Sequence, residues 1–476
     1  MPDLPTFLPG EEALADDLNV IVDAVNTVSA DLGTLTGTVN TLTGNLDSVG
    51  GVMFTKPVLG GPTTRGTSGK GSGFRIGRGG GKTKVKGYPE VMGEYPAAAM
   101  AEEITDAGDV GIKALVTVAG NPILSTPHSR QLSDAFEKLE LMISVDLYLN
   151  ETTRHADVIL PVPSQLQRDH YDVLLLQFAI RNVANYSTPV LSLDDGQPDE
   201  WEILAKLGMI AQGLGPDADP HLADDLAIEG LVRNSIGDPS SPIHGRNADE
   251  IIDALNADGR RGPARMLDFM LQTGPYGAGF GTNAGGASLQ LLLDNPHGVD
   301  FGALESRLPD ALRTRTGMIE LAPEPLLADV PRLLDSIDEF TKNRFVLVGR
   351  RHLKTNNSWM HNIQVLVKGN VRCSLQMHTD DAKSLDLIDD SNDEVFVTVT
   401  SRVGSVVVSV EISEDIRPGV VSLPHGWGHD HPGTRMRIAE SLSGVNSNIL
   451  SDHEAMDPLS GTSVLNGIPV SIAKIG

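Results

Sequence analysis

Cysteine is almost absent from this chain of 476 residues, in which Cys373 is the one thiol. A single thiol cannot form an internal disulfide and cannot supply the ligands of a four-cysteine zinc or iron–sulfur site. The sequence therefore predicts no iron–sulfur cluster within this chain, and it favours the cytoplasm as the compartment. Cys373 itself, in the segment VRCSLQMH, is expected to be a buried structural thiol.

Positive charge and long apolar runs are also scarce. The chain has 37 Lys and Arg against 63 Asp and Glu, a formal net charge of −26. This balance argues against nucleic-acid binding, which needs a basic surface. No apolar run is long enough for a membrane span. The first residues, MPDLPTFLPGEEALADD, lack a basic and an apolar region, so no secretion signal is expected.

The composition that remains is that of an ordinary globular protein, with 40% hydrophobic and 21% charged residues. A chain of this length is expected to form about two to four domains. We predict four segments. They are a heptad helical segment at 1–50, a glycine-rich basic loop at 51–96, an α/β domain with a helical insertion at 97–340 and a β-barrel at 341–476.

A regular apolar stripe runs through residues 14–46. Its spacing alternates between four and three, as in the seam of a coiled coil. Gly33 and Gly37 weaken the prediction, because each costs about 1 kcal/mol inside a helix. Two interpretations stay open, a helix packed on its own domain and an oligomerising helix. The stripe consists of Leu14, Leu18, Ile21, Val25, Val28, Leu32, Leu35, Val39, Leu42 and Leu46.

Residues 60–87 are rich in glycine and carry only basic charges. Glycine at this density disfavours helices and central strands, so we expect a flexible loop. The triplet Gly81-Lys82-Thr83 resembles the end of a phosphate-binding loop, but Ile76 stands where that motif needs its first glycine. A solvated loop is the default interpretation, and contact with an anionic ligand or partner is the alternative.

Alternating strands and helices follow. Apolar runs at 110–119, 141–149 and 156–162 predict strands, and residues 129–138 and 199–210 predict helices. This alternation is typical of a doubly wound α/β sheet, in which ligands bind beyond the carboxyl ends of the strands. Residues 216–340 are rich in predicted helices, with breaks at glycine and proline.

The last part of the chain is rich in β-structure. Residues 394–400 and 406–412 alternate strictly between apolar and polar, which predicts a hairpin. Further strands are expected at 345–348, 420–423 and 468–472. A small closed barrel suits this pattern because closure removes the sheet edges.

Several stretches, in order, resemble the molybdopterin oxidoreductases, the family of formate dehydrogenase, nitrate reductase and DMSO reductase. The stretches are LTGNLDSVGGVMF at 42–54, AGNPILSTP at 119–127, VDLYLNETTRHADVILP at 145–161, GRRHLKTNNSWMHN at 349–362, MHTDDAKSLDLIDDSNDEVFVTVTSRVGSVVVSV at 377–410 and VNSNILSDHEAMDPLSGTSVLNGIPVSI at 445–472. The resemblance covers roughly residues 40–476, the C-terminal part of the family. It implies a doubly wound α/β domain, then a small dinucleotide-binding β-barrel, preceded here by the heptad helix.

The resemblance implies a site for a molybdopterin guanine dinucleotide carrying molybdenum or tungsten. Asp146 would accept from the guanine's N–H donors, and Gly349 with Arg350 and Arg351 would approach its pyrophosphate. Asn-Pro turns and structural carboxylates offer a purely structural alternative for several of these positions. The full set of candidates is Asn121, Asp146, Thr152, Asp157, Gly349, Arg350, Arg351, Asn357, Ser358, His425 and Asn448.

The family's cluster cysteines and metal ligand have no counterpart before residue 42, and Gln167 stands where relatives commonly have Glu. The first hypothesis is therefore a truncated oxidoreductase that keeps a complete or partial dinucleotide site and does not catalyse alone, with the cofactor's absence left open. The second is an assembly subunit that pairs through residues 14–46 with a complementing chain or a second copy. The third is a histidine-metal hydrolase using His361, His378, His425, His429 and His431.

Overall fold

The computed structural model describes residues 39–73, 80–91, 93–340, 345–369, 373–388 and 394–475. Most of the predicted heptad segment, up to residue 38, therefore lies outside the described residues, although residues 39–42 are helical. Within the described ranges, no helix is both long and apolar enough to cross a membrane.

The chain forms two compact units. The first comprises the described residues within 80–160 and 321–475, and the second comprises residues 39–73 and 161–320. The boundary between Leu160 and Pro161 lies inside the segment 97–340 that the sequence predicts as one domain.

The α/β layer of the first unit is built on a parallel sheet, in which β1 (Ala114–Val118) pairs with β2 (Leu141–Val145), and β2 with β3 (Val158–Leu160). All three strands were expected from apolar runs, and each is shorter than its run. The helices of this layer are α1 (Met100–Thr105), α2 (Pro122–Ser125) and α3 (Ser129–Phe136).

One face of this sheet packs on the helices. Met142 on β2 joins Leu132 and Phe136 of α3 in a buried apolar cluster. Thr117 and Ser144, paired across β1 and β2 on the same face, satisfy each other with a 2.8 Å hydrogen bond between their hydroxyls. The sheet therefore has one covered face, and its carboxyl ends open onto the loops after β1 and β2.

A closed barrel forms the C-terminal part of the first unit, as the sequence predicts. Its strands follow the order β10-β6-β11-β8-β9-β7, and the predicted hairpin is β8 and β9. Inward-facing aliphatic side chains such as Leu347, Val399 and Val421 fill it. The strands are β6 (Phe345–Arg350), β7 (Leu375–His378), β8 (Phe396–Thr400), β9 (Ser405–Ser413), β10 (Val420–Pro424) and β11 (Ile468–Lys474).

The second unit is largely helical and carries the antiparallel pair β4 (Arg181–Ala184) and β5 (Val299–Ala303). Arg265, which is 1% exposed, is paired at 2.7 Å with Asp224 and with Asp225. Its helices are α4 (Glu200–Ala211), α5 (Pro220–Gly237), α6 (Ala248–Leu255), α7 (Pro263–Thr273) and α8 (Leu289–Leu293). The first unit also contains α9 (Glu324–Phe340), α10 (Gln364–Val367), α11 (Thr379–Ser384) and α12 (Arg437–Glu440).

Part of the predicted flexible loop is anchored. The backbone N–H groups of Lys84 and Val85 donate to the Glu103 carboxylate at 2.8 and 2.7 Å. The Lys86 ammonium lies 3.2 Å from Glu102 and 3.3 Å from Glu454. Residues 80–87 are therefore held by carboxylates of their own unit, whereas residues 74–79 lie outside the described part.

Candidate functional site

A cavity of about 310 Å³ opens between loops of the barrel and the end of α2. Several loops that are far apart in sequence meet at this cavity, which is the usual construction of a ligand site. Of the predicted residues, the lining includes Gly349, Arg350, Arg351, Asn357, His425 and Asn448. Its other polar members are Ser125, Ser447, Ser451 and Asn466.

Gly349 lies near the end of β6, where its N–H donates to the Asn466 side chain at 2.8 Å. A Cβ atom added at this position would meet Asn466 at 3.5 Å and Leu465 at 3.8 Å, which are ordinary contacts. Packing within the protein therefore does not require glycine here. The missing side chain instead leaves space on the cavity side.

Arg350 is directed into the protein framework. Its guanidinium donates to the carbonyl of Ser422 and, at 2.8 Å, to the carbonyl of Ser374, and it lies 3.6 Å from Glu411. Burial lowers the pKa of this guanidinium, and Glu411 opposes that effect. The predicted pyrophosphate ligand thus also ties β6 to the neighbouring strand β10 and to Ser374, the residue before β7.

Arg351, Asn357 and His425 form a hydrogen-bonded group on the cavity wall. The Asn357 Oδ1 atom lies 2.6 Å from Nη1 of Arg351 and 2.7 Å from Nε2 of His425. Burial lowers the pKa of His425, and the charge of Arg351 adds to the effect. Within this group, Arg351 therefore carries the positive charge at neutral pH.

Gly426 holds the neighbouring loop in close contact. Its φ angle is +87°, and a Cβ atom would lie 2.5 Å from the Asn357 carbonyl oxygen and 3.1 Å from the Ser358 nitrogen. Glycine is therefore required by the backbone at this position. Ser358 itself is buried behind the cavity and is not among its lining residues.

Asn448 joins the barrel loop to the α/β layer. Its side-chain N–H donates to the carbonyl of Leu124 at 2.7 Å, and its own carbonyl accepts from the His128 N–H at 2.9 Å. Asn446 donates to the carbonyl of Ile123 at 3.0 Å. Asn446 was not predicted as a site residue. Its position two residues before Asn448, in the same loop, was a signal that could have identified it.

Asn121 and Thr152 meet in a buried network, at the carboxyl end of β1. The Thr152 hydroxyl donates to Asn121 Oδ1 at 2.6 Å, and Asn121 Nδ2 donates to Glu151 at 2.8 Å. Glu151 and Thr152 are both 0% exposed. Sequence reasoning missed Glu151, because a charged residue inside a polar run is usually solvated.

The network continues through two histidines. Glu151 Oε1 lies 2.8 Å from Nδ1 of His429, and His429 Nε2 lies 2.7 Å from Nδ1 of His361. Burial raises the pKa of Glu151, but hydrogen bonds from His429 and Asn121 outweigh it, so the pKa is lowered overall. Burial lowers the pKa of His361 to about 3, and the His361 ring packs on Trp427 with centroids 4.1 Å apart. A buried hydrogen-bonded relay anchored on the Glu151 carboxylate results.

The two predicted aspartates lie outside the cavity lining. Asp146 follows β2, and its carboxylate accepts from the N–H of Tyr148 at 3.0 Å and from Asn150 at 3.1 Å. Burial raises its pKa, and these hydrogen bonds oppose the rise. Asp157 precedes β3 and accepts from the Met142 N–H at 2.7 Å, so it lies at the amino edge of the sheet, away from the other candidates.

The histidines proposed as metal ligands do not converge. Among the described residues, no group of three or more His, Cys, Asp or Glu side chains is placed to hold a metal ion. His429 is engaged by Glu151 and His361, and His425 by Asn357. Cys373 is buried, as expected, and burial raises its thiol pKa to about 11.

Parts of the chain are similar to known proteins. Residues 345–469 match the family described as "Molydopterin dinucleotide binding domain". The chain is 40% identical over 68 residues to the assimilatory nitrate reductase catalytic subunit of Bacillus subtilis, which is 14% of this chain and 9% of that protein. It is 24% identical over 343 residues to a formate dehydrogenase subunit alpha of Methanocaldococcus jannaschii, covering 71% of this chain and 42% of that protein.

A solved structure shares the fold. Acetylene hydratase from Pelobacter acetylenicus superimposes with a TM-score of 0.54 at 14% identity, over 81% of this chain and 47% of that one. The matched segments span only 9% to 42% of the lengths of the curated relatives. The closed barrel contains a molybdopterin dinucleotide-binding domain at residues 345–469, and these relatives support membership of the chain in the molybdopterin oxidoreductase family.

Proposed function

We propose that the barrel cavity binds the guanine dinucleotide end of a molybdopterin cofactor that carries molybdenum or tungsten. The bound cofactor would serve an oxidoreductase reaction. The observation that carries this proposal is the meeting of Gly349, Arg351, Asn357, His425 and Asn448 around one cavity. These residues come from loops separated by up to about a hundred positions, and the match to the dinucleotide-binding family covers them all.

The residues present suit such a group. A volume of about 310 Å³ is at the lower end of the usual range for ligand pockets and accommodates part of a dinucleotide. Arg351 supplies positive charge and a planar donor for a phosphate. The vacant Cβ position of Gly349 allows close approach to the backbone. Ser447, Asn448 and Asn466 add neutral hydrogen-bonding groups.

The cofactor, when bound, supplies the redox chemistry, and the protein binds and orients it. Arg351 and the Gly349 backbone would hold the pyrophosphate. Asn448 would fix the part of the cavity wall that contacts α2. Asn121 and Thr152 belong to the buried network behind this wall, and we propose a supporting role for them. Asp146 is retained as the proposed acceptor for guanine, since its partly buried carboxylate lies on a loop at the carboxyl end of the sheet.

Guanine-nucleotide binding tests the proposal directly. We expect the purified chain to bind GDP more tightly than ADP in isothermal titration calorimetry, and Arg351→Ala to weaken GDP binding. A variant at an exposed position remote from the cavity, Glu137→Ala, serves as the control and should bind as the unmodified chain does. Equal affinity for both nucleotides, or no effect of Arg351→Ala, would contradict the assignment.

We also propose that turnover requires polypeptide beyond the described barrel and α/β layer. The match to the formate dehydrogenase relative, itself named a subunit, covers 42% of that protein. A second copy or a complementing chain recruited through residues 14–46 would supply the remainder. Co-expression followed by light scattering and pterin analysis tests this, and a monomer with full cofactor content and dye-linked activity would overturn it.

A further inference from the structure

A second cavity, of about 750 Å³, lies within the second unit. Its lining comes mainly from the segment 165–173, the start of α4 and α7, and every lining residue belongs to that unit. The lining residues of the barrel cavity all belong to the first unit, so the two cavities share none. The volume falls within the usual range for sites that bind small molecules.

Most of the wall of this cavity is aromatic or aliphatic. Trp201, in the first turn of α4, packs edge-on against His221 with ring centroids 5.4 Å apart. A Cβ atom added to Gly262 would approach the Trp201 indole to 2.6 Å, so the indole lies directly on the backbone at Gly262. These two contacts hold the ring in place. The other aromatic and aliphatic lining residues include Tyr171, Tyr186, Met266 and Met270.

The polar part of the wall has more negative than positive charge. Its ionisable side chains include Asp169, Asp199, Glu200 and Arg168, and Arg168 forms an ion pair with Glu200. The other two carboxylates accept from neutral donors, Asp169 from the Tyr186 hydroxyl and Asp199 from the N–H of Glu200 at 2.6 Å. Within the part of the chain that the structure describes, neither Asp169 nor Asp199 forms an ion pair with a lysine or an arginine. Their negative charge is therefore uncompensated beside the aromatic wall.

The two carboxylates also affect each other. Burial raises the pKa of Asp199, the charges of Asp169 and Glu202 add to the rise, and Arg168 opposes it. Like charges in half-buried surroundings cost free energy, and a cation bound close to both carboxylates would reduce that cost. The cavity therefore favours a positively charged ligand.

We propose that this cavity binds an organic ammonium ion that carries an aromatic or aliphatic body. The ammonium group lies near Asp169 and Asp199 and beside the Trp201 indole, since an aromatic ring attracts a cation. The body packs on the apolar wall, where Met266 and Met270 offer adaptable contacts.

Other classes of ligand suit the cavity less well. The same carboxylates repel an anion, and in the described ranges no group of three or more metal-binding side chains is placed to hold a metal ion. The proposal does not rest on the dinucleotide assignment, because the two cavities share no lining residue.

Isothermal titration calorimetry of the full chain tests the proposal with three probes of similar shape. They are phenethylammonium, the neutral phenethyl alcohol and the anionic phenylacetate. We expect the ammonium ion to bind several-fold more tightly than the alcohol, and phenylacetate not to bind. No binding of the ammonium ion at millimolar concentration, or equal affinity for the ammonium ion and the alcohol, would overturn the proposal.

Two variants locate the binding. Asp169→Asn removes a charge and keeps an acceptor for the Tyr186 hydroxyl, and Asp199→Asn keeps a side chain that caps a helix equally well. Each should weaken binding of the ammonium ion several-fold and leave binding of the alcohol unchanged. Thermal unfolding of each variant shows that it is folded, and either variant alone is sufficient for the comparison.

The matched control is Asp195→Asn, which removes a charge from an exposed position outside the lining. It separates the site from general attraction to a chain of net charge −26, and it should bind the ammonium ion as the unmodified chain does. If Asp195→Asn weakens binding as much as the cavity variants, or if neither cavity variant weakens it, the assignment is wrong.

Discussion

His361 Nδ1 lies 2.7 Å from His429 Nε2, and both rings are almost completely buried. Glu151 lies on the other side of His429, where its carboxylate accepts the Nδ1 proton of that ring. The Nε2 atom of His361 is buried, and no hydrogen-bond partner reaches it from the described residues. The orientation of two rings is thereby determined by one carboxylate.

The first prediction concerns that carboxylate. Glu151→Ala removes the acceptor for His429 and for Asn121, leaving buried donors unpaired, and should lower the free energy of unfolding by about 1 to 3 kcal/mol. Glu151→Gln retains an acceptor and should cost less. Urea denaturation measures both, with the exposed Glu137→Ala as the control. Equal stability of Glu151→Ala and the control would contradict the relay.

The pH dependence of stability follows from His361, whose folded-state pKa is about 3. An unfolded histidine titrates near about 6.5, so the unfolded state binds the proton more tightly between these values. Above about pH 6.5 neither state binds this proton, and the free energy of unfolding is unaffected by His361. As the pH falls from there toward 3, the free energy of unfolding decreases by about 1.4 kcal/mol per pH unit. The lowered pKa of Glu151 acts in the same direction at acid pH. His361→Gln should flatten the slope in urea titrations between pH 4 and 6.5, and an unchanged slope would refute this origin.

Two neighbouring arginines should behave differently. Arg350→Ala leaves the carbonyls of Ser422 and Ser374 without their donor, and should lower stability by about 1 to 3 kcal/mol. Arg351 is exposed and contacts Asn357, so Arg351→Ala should weaken GDP binding while thermal unfolding changes little. Calorimetry and thermal melts of both variants check this, and the reverse pattern would show that Arg350 is the phosphate ligand.

Two glycines form another matched pair. Gly349→Ala meets only ordinary contacts, so the fold should tolerate it while the added methyl group weakens GDP binding. Gly426→Ala combines a φ of +87° with a 2.5 Å approach to the Asn357 carbonyl, and should destabilise the fold. Thermal unfolding and GDP titration separate the two. Undiminished binding by Gly349→Ala would argue that the ligand does not approach that position.

The Cys373 thiol should be inert in the folded chain. Burial raises its pKa to about 11, and only the thiolate attacks alkylating agents. We expect slow reaction with iodoacetamide in buffer and rapid reaction in urea, followed by intact mass. Rapid alkylation of the native chain would contradict the buried position.

Much of the first unit could be predicted from sequence because its signals are periodic. The alternation in β8 and β9 and the apolar runs of β1 and β2 depend on burial alone. The direction of Arg350 could not be predicted in this way. It is the last residue of β6, and its contacts with Ser374 and Ser422 depend on strands that are distant in sequence. The buried position of Glu151 could not be predicted for the same reason, because its partner His429 is 278 residues away in sequence.

The boundary that Asn446 and Asn448 make with α2 has a mechanical consequence. Their side chains occupy the carbonyls of Ile123 and Leu124, and the N–H of His128 donates to the barrel loop in return. Separating the barrel from the sheet would leave all of these buried groups unpaired at once. The two layers are therefore expected to move and to unfold as one body, so a ligand must enter this cavity through its mouth rather than by a hinge opening between them.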